Sequence, residues 1–116
     1  MKGDKTQAQW LKLLNLWGAF RKVHTTGVPT GGFGYRTNPN KGMADFVGLV
    51  RTGRFVAIER KRPDEDISAE QIKYLEEVNN HGGFGVRIET FEELDGAIRA
   101  AMRGDSAADW EAADAV

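Results

Sequence analysis

Residues 45–61 read DFVGLVRTGRFVAIERK, and the architecture can be worked out from this segment. Two apolar runs, 45–50 and 54–59, are separated by three residues that end in Gly53. A three-residue hairpin loop is usually a type I turn followed by one left-handed residue, and Gly53 stands at that position if residue 50 pairs with residue 54. The segment therefore predicts a β-hairpin with three facing pairs: Leu49 with Phe55, Val47 with Ala57, and Asp45 with Glu59.

Helical patterns flank this hairpin. Apolar residues at helical spacing predict an amphipathic helix over 6–22, followed by a short strand over 23–26. Two capping boxes, Ser68 with Gln71 and Thr90 with Glu93, predict helices over 68–81 and 91–103, with a strand over 84–88 between them. The first of these helices should bury Ile72, Leu75 and Val78. A strand that returns after a helix implies a crossover onto a mixed sheet, so we predict an α/β sandwich with helices on both faces and the order αβββαβα.

Length and composition limit the class of protein. The chain has 116 residues, 41% of them hydrophobic, which is enough for one core, so we assign residues 1–104 to a single domain. The acidic segment 105–116 has no periodic apolar face and is expected to be largely disordered. The sequence contains no cysteine, no apolar run long enough for a membrane span and no secretory signal pattern. We therefore expect no membrane association and a cytoplasmic protein.

The net charge of −1 hides an uneven distribution of charge along the chain. Residues 1–62 contain 12 basic and 3 acidic residues, whereas residues 63–116 contain 4 basic and 14 acidic residues. A basic surface of this density suits a polyanion such as DNA, although lysine and arginine can also simply solvate a surface. The glycine-rich stretch 27–42 is typical of a binding loop. The expected phosphate contacts are Arg21, Lys22, Arg36, Lys41, Arg60 and Arg62.

Two carboxylates, Asp45 and Glu59, face each other at one end of an apolar hairpin face. Carboxylates this close repel each other unless a cation lies between them, and Mg²⁺ needs only one or two such ligands besides water and substrate phosphates. Alternation puts Lys61 on the face of Glu59, where an ammonium can stabilise a phosphoryl transition state, and points Arg60 to the opposite face. Simpler interpretations stay open: a strand-entry aspartate, a glutamate paired with Lys61 or Arg62, and an ordinary strand-end lysine.

The motif Gly42-Met-Ala-Asp45, thirteen residues, Glu59-Arg-Lys61 and then Gln71 in the next helix resembles the PD-(D/E)XK nuclease pattern. The likeness is closest to the small stand-alone VRR-NUC domains of phages and covers roughly residues 7–94. It implies a restriction-endonuclease-like fold and metal-dependent hydrolysis of DNA. By this resemblance Asp45, Glu59 and the Arg60 carbonyl ligate Mg²⁺, for which Mn²⁺ can substitute. Lys61 is then the catalytic lysine, and Gln71 orients the site.

The resemblance further implies a homodimer that cuts branched or junction DNA. Two positions depart from the family: Ala44 replaces a proline, and the first helix offers Gln7 and Gln9 where a glutamate is common. We therefore expect one tightly held metal ion, or two only when DNA phosphate contributes. The alternatives are a non-catalytic DNA-binding module and, third, a protein-interaction domain that uses the acidic half and Trp110. Gln71 has an alternative role in its capping box.

Overall fold

The computed structural model describes residues 6–23, 28–29, 35–36, 42–61 and 66–114. No helix in these ranges is long and apolar enough to cross a lipid bilayer. The elements follow in chain order: α1 (Gln7–Trp17), β1 (Gly18–Lys22), β2 (Val28–Pro29), β3 (Tyr35–Arg36), β4 (Phe46–Val50), β5 (Phe55–Arg60), α2 (Ala69–Asn80), β6 (Phe84–Ile88), α3 (Phe91–Arg103) and α4 (Ala107–Asp114).

The main sheet is mixed and has the strand order β1-β4-β5-β6. Strand β4 pairs antiparallel with β1 on one side and with β5 on the other, and β6 joins parallel to β5 after the crossover through α2. The predicted hairpin is confirmed, because β4 and β5 pair Leu49 with Phe55 and Val47 with Ala57. Gly53 has a φ of +90°, as its turn position requires. A separate ribbon of β2 and β3 lies within the glycine-rich stretch.

Helices pack on both faces of the main sheet, as predicted. On one face, α1, α3 and α4 share a core with Val56 and Ile58 of β5. On the other face, α2 packs through Leu75 and Val78 against Ala57. Side chains alternate along a strand, so the odd-numbered residues of β5 point toward the α2 side. This alternation places Glu59 on the same side as α2.

The first helix ends five residues earlier than predicted. Residues 18–22 form β1, so the end predicted for the helix over 6–22 was wrong. The strand predicted over 23–26 falls, apart from Val23, outside the described residues. Phe20 is buried, and its position fits the apolar period of a helix as well as that of a strand, so the pattern did not distinguish the two. Pairing with β4 favours the strand, and the Asn15 side-chain oxygen accepts the Phe20 N–H at 2.7 Å. Gly18 permits the close approach, since a Cβ there would collide with the Leu49 carbonyl.

The predicted order αβββαβα is also incomplete. The described residues contain the extra ribbon β2-β3 and a fourth helix, α4, in the segment expected to be disordered. Ala107 is buried, and the Trp110 ring meets Phe84 edge-on with 6.3 Å between centroids. The tail prediction therefore failed because isolated apolar residues without a periodic face can still pack onto a neighbouring element.

The two capping boxes are confirmed at the starts of α2 and α3. Ser68 and Gln71 exchange both cap hydrogen bonds, and so do Thr90 and Glu93. The buried face of α2 differs from the prediction at Ile72, which is 43% exposed.

Candidate active site

Asp45 lies immediately before β4, at the end of the hairpin ladder. The last paired residues are Phe46 and Ile58, so Asp45 is next along the chain on the side of Glu59. The Arg60 N–H donates to Asp45 Oδ2 at 2.9 Å, and the Val23 N–H donates to the Asp45 carbonyl oxygen at 2.7 Å. Three neighbouring strands thus hold Asp45 in place, because Val23 follows β1 and Arg60 ends β5.

Glu59 is the buried member of the carboxylate pair. Its side chain is on β5, and the residue is only 7% exposed. Gln71 Nε2 donates to Glu59 Oε2 at 2.9 Å, whereas Oε1 is buried and has no hydrogen-bond partner among the described residues. A buried carboxylate oxygen without a partner is costly, and such atoms call for a specific explanation. A cation bound between Glu59 and Asp45 would supply the missing contact.

The electrostatics of Asp45 and Glu59 also favour a bound cation. Burial, together with the neighbouring Asp45 carboxylate, raises the pKa of Glu59 to about 8. The Asp45 backbone and the positive charge of Lys22 oppose this rise only in part, and the Asp45 side chain adds to it. In the absence of a cation, Glu59 is therefore largely protonated at neutral pH. A divalent cation would reverse this preference by favouring the ionised form.

We expect the metal-free protein to lose stability as the pH rises from the ordinary glutamate pKa of 4.5 to about 8. In this window the folded state keeps a proton on Glu59 that the unfolded chain has released, so raising the pH favours unfolding; above it the effect levels off. Urea-unfolding midpoints measured in EDTA across this range test the expectation. The Glu59→Gln protein should lack this part of the slope. Identical pH profiles for the two proteins would contradict the assignment.

Gln71 serves its helix cap and the carboxylate pair at the same time. Its Oε1 accepts the Ser68 N–H at 2.9 Å, and its own backbone N–H donates to Ser68 Oγ at 3.1 Å. The remaining Nε2 donates to Glu59. The two roles left as alternatives by the sequence are therefore compatible in a single side chain.

Lys61 lies one residue beyond β5, and its N–H continues the parallel ladder by donating to the Ile88 carbonyl at 2.9 Å. Its side chain is 15% exposed, and Nζ lies 3.8 Å from Glu89 Oε2. Alternation along β5 puts it on the face of Glu59. No motif or spacing in the sequence marks Glu89 as a site residue. The parallel register of β5 and β6 brings it beside Lys61, and no local pattern predicts that register.

Arg60 has a different environment from the other basic candidates. Its guanidinium lies over the Trp10 ring at 4.9 Å from the centroid, and the residue is 9% exposed. The side chain therefore lies on the α1 side of the sheet, opposite Glu59, as alternation predicts. Little of this guanidinium is left to meet a DNA phosphate, although its backbone N–H binds Asp45.

The remaining predicted phosphate contacts are only partly described. Arg21 is exposed, and Lys22 is half-buried with Nζ donating to the Val23 carbonyl at 2.7 Å. Arg36 lies in β3, and its side chain is outside the description. Lys41 and Arg62 lie outside the described residues altogether.

The donor set fits one hard divalent cation. Asp45 and Glu59 supply carboxylate oxygens, one of them without a partner, and Mg²⁺ commonly keeps several waters beside one or two such ligands. Within the described ranges, no cluster of three or more His, Cys, Asp or Glu residues is arranged to hold a metal ion. Gln9 does not replace the missing acid of the first helix, since its Oε1 accepts the Thr6 N–H at 2.7 Å in the cap of α1.

No protein-family model matches this sequence, and no curated protein matches it.

Proposed function

We propose that this protein is a metal-dependent endonuclease that hydrolyses DNA phosphodiester bonds. The observation that carries the proposal is that Asp45 and Glu59 interact at one end of the hairpin, while the buried Glu59 Oε1 has no hydrogen-bond partner among the described residues. Buried carboxylates that share a site with strongly perturbed protonation are more frequent at catalytic centres than elsewhere.

Each residue of the site then has a chemical role. Asp45, Glu59 and the Arg60 carbonyl would hold Mg²⁺ or Mn²⁺, and the bound cation would stabilise the negative charge that a phosphodiester gains in the transition state. Gln71 holds Oε2 of Glu59, which leaves Oε1 for the cation. The Lys61 ammonium can steady an attacking water or the charge developing on the phosphate.

The uneven charge of the chain supports DNA as the substrate. Both carboxylates of the site lie within the basic half, and the exposed Arg21 lies on the strand next to Asp45. Basic side chains around a carboxylate pair attract the phosphate backbone and should make binding weaken with salt. We further propose a VRR-NUC-type nuclease of the restriction-endonuclease-like fold. In this proposal it acts inside the cell as a homodimer on branched or junction DNA.

We expect cleavage of DNA in Mg²⁺ or Mn²⁺ and none in EDTA, with the Lys61→Ala protein at least about 100-fold slower, because a preorganised charge at a transition state typically contributes this much. Labelled junction and linear duplexes resolved on denaturing gels measure both rates. The matched control is Lys73→Ala, which removes an exposed lysine of α2. Equal rates for Lys61→Ala and the wild type would remove Lys61 from the chemistry.

A non-catalytic DNA-binding module is the second candidate. The absence of a third acidic ligand among the described residues favours it. In that case the protein would bind the same DNA in Mg²⁺ and in EDTA and would cut it in neither. The protein-interaction alternative depends on Trp110 as a binding residue. It is less well supported, because the Trp110 ring packs against Phe84 within the domain.

A further inference from the structure

A continuous set of hydrogen bonds links the start of α2 to the buried carboxylate. The Ser68 N–H donates to Gln71 Oε1 at 2.9 Å, and Gln71 Nε2 donates to Glu59 Oε2 at 2.9 Å. Ser68 Oγ in turn accepts the Gln71 backbone N–H at 3.1 Å. The amide of Gln71 therefore has its oxygen bound by the cap and its nitrogen bound by the carboxylate.

This arrangement selects one of two amide orientations. A glutamine amide rotated by half a turn exchanges its oxygen and its NH₂ group. In the rotated form, the NH₂ group of Gln71 would meet the Ser68 N–H, and this contact would be repulsive. The amide oxygen would meet Glu59 Oε2, and this contact would be repulsive when Glu59 is ionised, as it is with a bound cation. The Ser68 N–H thus decides that a donor faces Glu59. Ser68 Oγ keeps this N–H in place by holding the extended cap conformation, with φ −74° and ψ 161°.

We infer that Ser68 is a positioning residue of the candidate site: the N-cap of α2 orients the Gln71 amide and, through it, the Glu59 carboxyl group. The consequence for turnover rests on the proposed nuclease function, whereas the orientation of the amide does not. Partners that hold a metal-ligating side chain typically affect metal affinity or activity by 10- to 100-fold.

The chain contains a matched control in the cap of α1. Thr6 and Gln9 make the same pair of cap hydrogen bonds, at 2.7 and 3.2 Å, but both residues are exposed. Thr6→Ala therefore weakens a helix cap of the same type without touching the carboxylate pair. Any effect of Ser68→Ala beyond that of Thr6→Ala reports on the site.

The experiment compares these two variants, with Ser68→Thr as the conservative rescue. In Ser68→Ala, we expect the side-chain amide NMR signals of Gln71 to move toward those of a solvent-exposed glutamine, and kcat for DNA cleavage in Mg²⁺ to fall about tenfold. Ser68→Thr should restore both, and Thr6→Ala should change neither. If Ser68→Ala does not fold, Ser68→Gly removes the hydroxyl at a smaller cost to the cap.

Unchanged Gln71 amide signals in Ser68→Ala, or equal kcat values for Ser68→Ala and Thr6→Ala, would overturn the inference. The two proposals fail in different ways. A wild-type protein that does not cut DNA under any condition removes the nuclease proposal, and the NMR comparison then decides the role of Ser68 by itself.

Discussion

Replacing Glu59 with glutamine is expected to abolish Mg²⁺-dependent DNA cleavage while leaving the metal-free protein as stable as the wild type, or more stable, at pH 8. The substitution keeps the shape of the side chain but removes the charge that would bind a cation. We expect a loss of more than about 100-fold, because even the partners that merely hold metal ligands affect activity by 10- to 100-fold. Stability should be retained because the new amide can donate to Asp45, which otherwise repels the ionised Glu59.

Two measurements on the same protein check this expectation. Cleavage of junction DNA in Mg²⁺ gives the catalytic effect, and urea unfolding in EDTA gives the effect on stability. Addition of Mg²⁺ should raise the unfolding midpoint of the wild type and not that of Glu59→Gln, since a ligand stabilises only the state that binds it. Glu92→Gln, at an exposed position in the first turn of α3, is the matched control and should behave as the wild type does. Equal stabilisation of Glu59→Gln by Mg²⁺ would show that the cation does not bind at this pair.

Arg54→Met is expected to lower the free energy of unfolding by at least about 3 kcal/mol, because hydrogen bonds to a charged group each contribute about 1.5–3 kcal/mol and several are lost together. Arg54 stands at the turn end of β5 and donates to backbone oxygens that follow the C-terminal ends of α2 and α3 or belong to the last turn of α3. Its guanidinium also lies 5.3 Å from the centroid of the Phe84 ring. The four acceptors are the carbonyl oxygens of Gly82, Gly83, Ala101 and Asp105, at 3.1, 3.2, 3.0 and 2.7 Å.

The melting temperature of Arg54→Met should therefore be lower than that of the wild type by more than about 10 °C, since a loss of 1 kcal/mol lowers the melting temperature of a domain of this size by roughly 4 °C or more. Thermal unfolding followed by circular dichroism measures it. Arg51→Met is the control: the Arg51 guanidinium donates to one backbone oxygen, that of Leu16, and its loss should cost less than about 1 kcal/mol. Arg54→Lys should lie between the two, because an ammonium cannot reproduce the planar fork of donors. A similar melting temperature for Arg54→Met and Arg51→Met would contradict the proposed role of Arg54.

At Phe20 the sequence pattern and the structure disagree about the secondary structure. A helical period and a strand period both bury Phe20, so the sequence pattern has two solutions over residues 18–22. Only the hydrogen bonds to β4 decide between them. Over 107–114 the sequence pattern predicted too little structure. The apolar residues of this segment show no helical period, although Trp110 has a packing partner in Phe84.

For the candidate site, the local patterns were sufficient for the hairpin register and for the cap of α2. They predicted Asp45 opposite Glu59, because a strand alternates with period two and a three-residue turn allows few registers. The ladder of β4 and β5 ends one pair before these carboxylates, at Phe46 with Ile58. They could not show that Gln71 reaches Glu59 while it caps its helix. That contact depends on how α2 crosses the sheet between β5 and β6.

The sequence by itself determined the elements whose hydrogen bonds close within a few residues: the hairpin with Gly53, the helix starts at Ser68 and Thr90, and the carboxylates at one strand end. Only the tertiary structure decided the contacts between distant parts of the chain, such as Lys61 with Glu89 and Arg54 with the ends of two helices. The physical reason is the distance along the chain over which each interaction acts. Backbone sterics and turn geometry act over neighbouring residues and leave their mark in the sequence, whereas a parallel register and a crossover angle are set by the packing of the whole core.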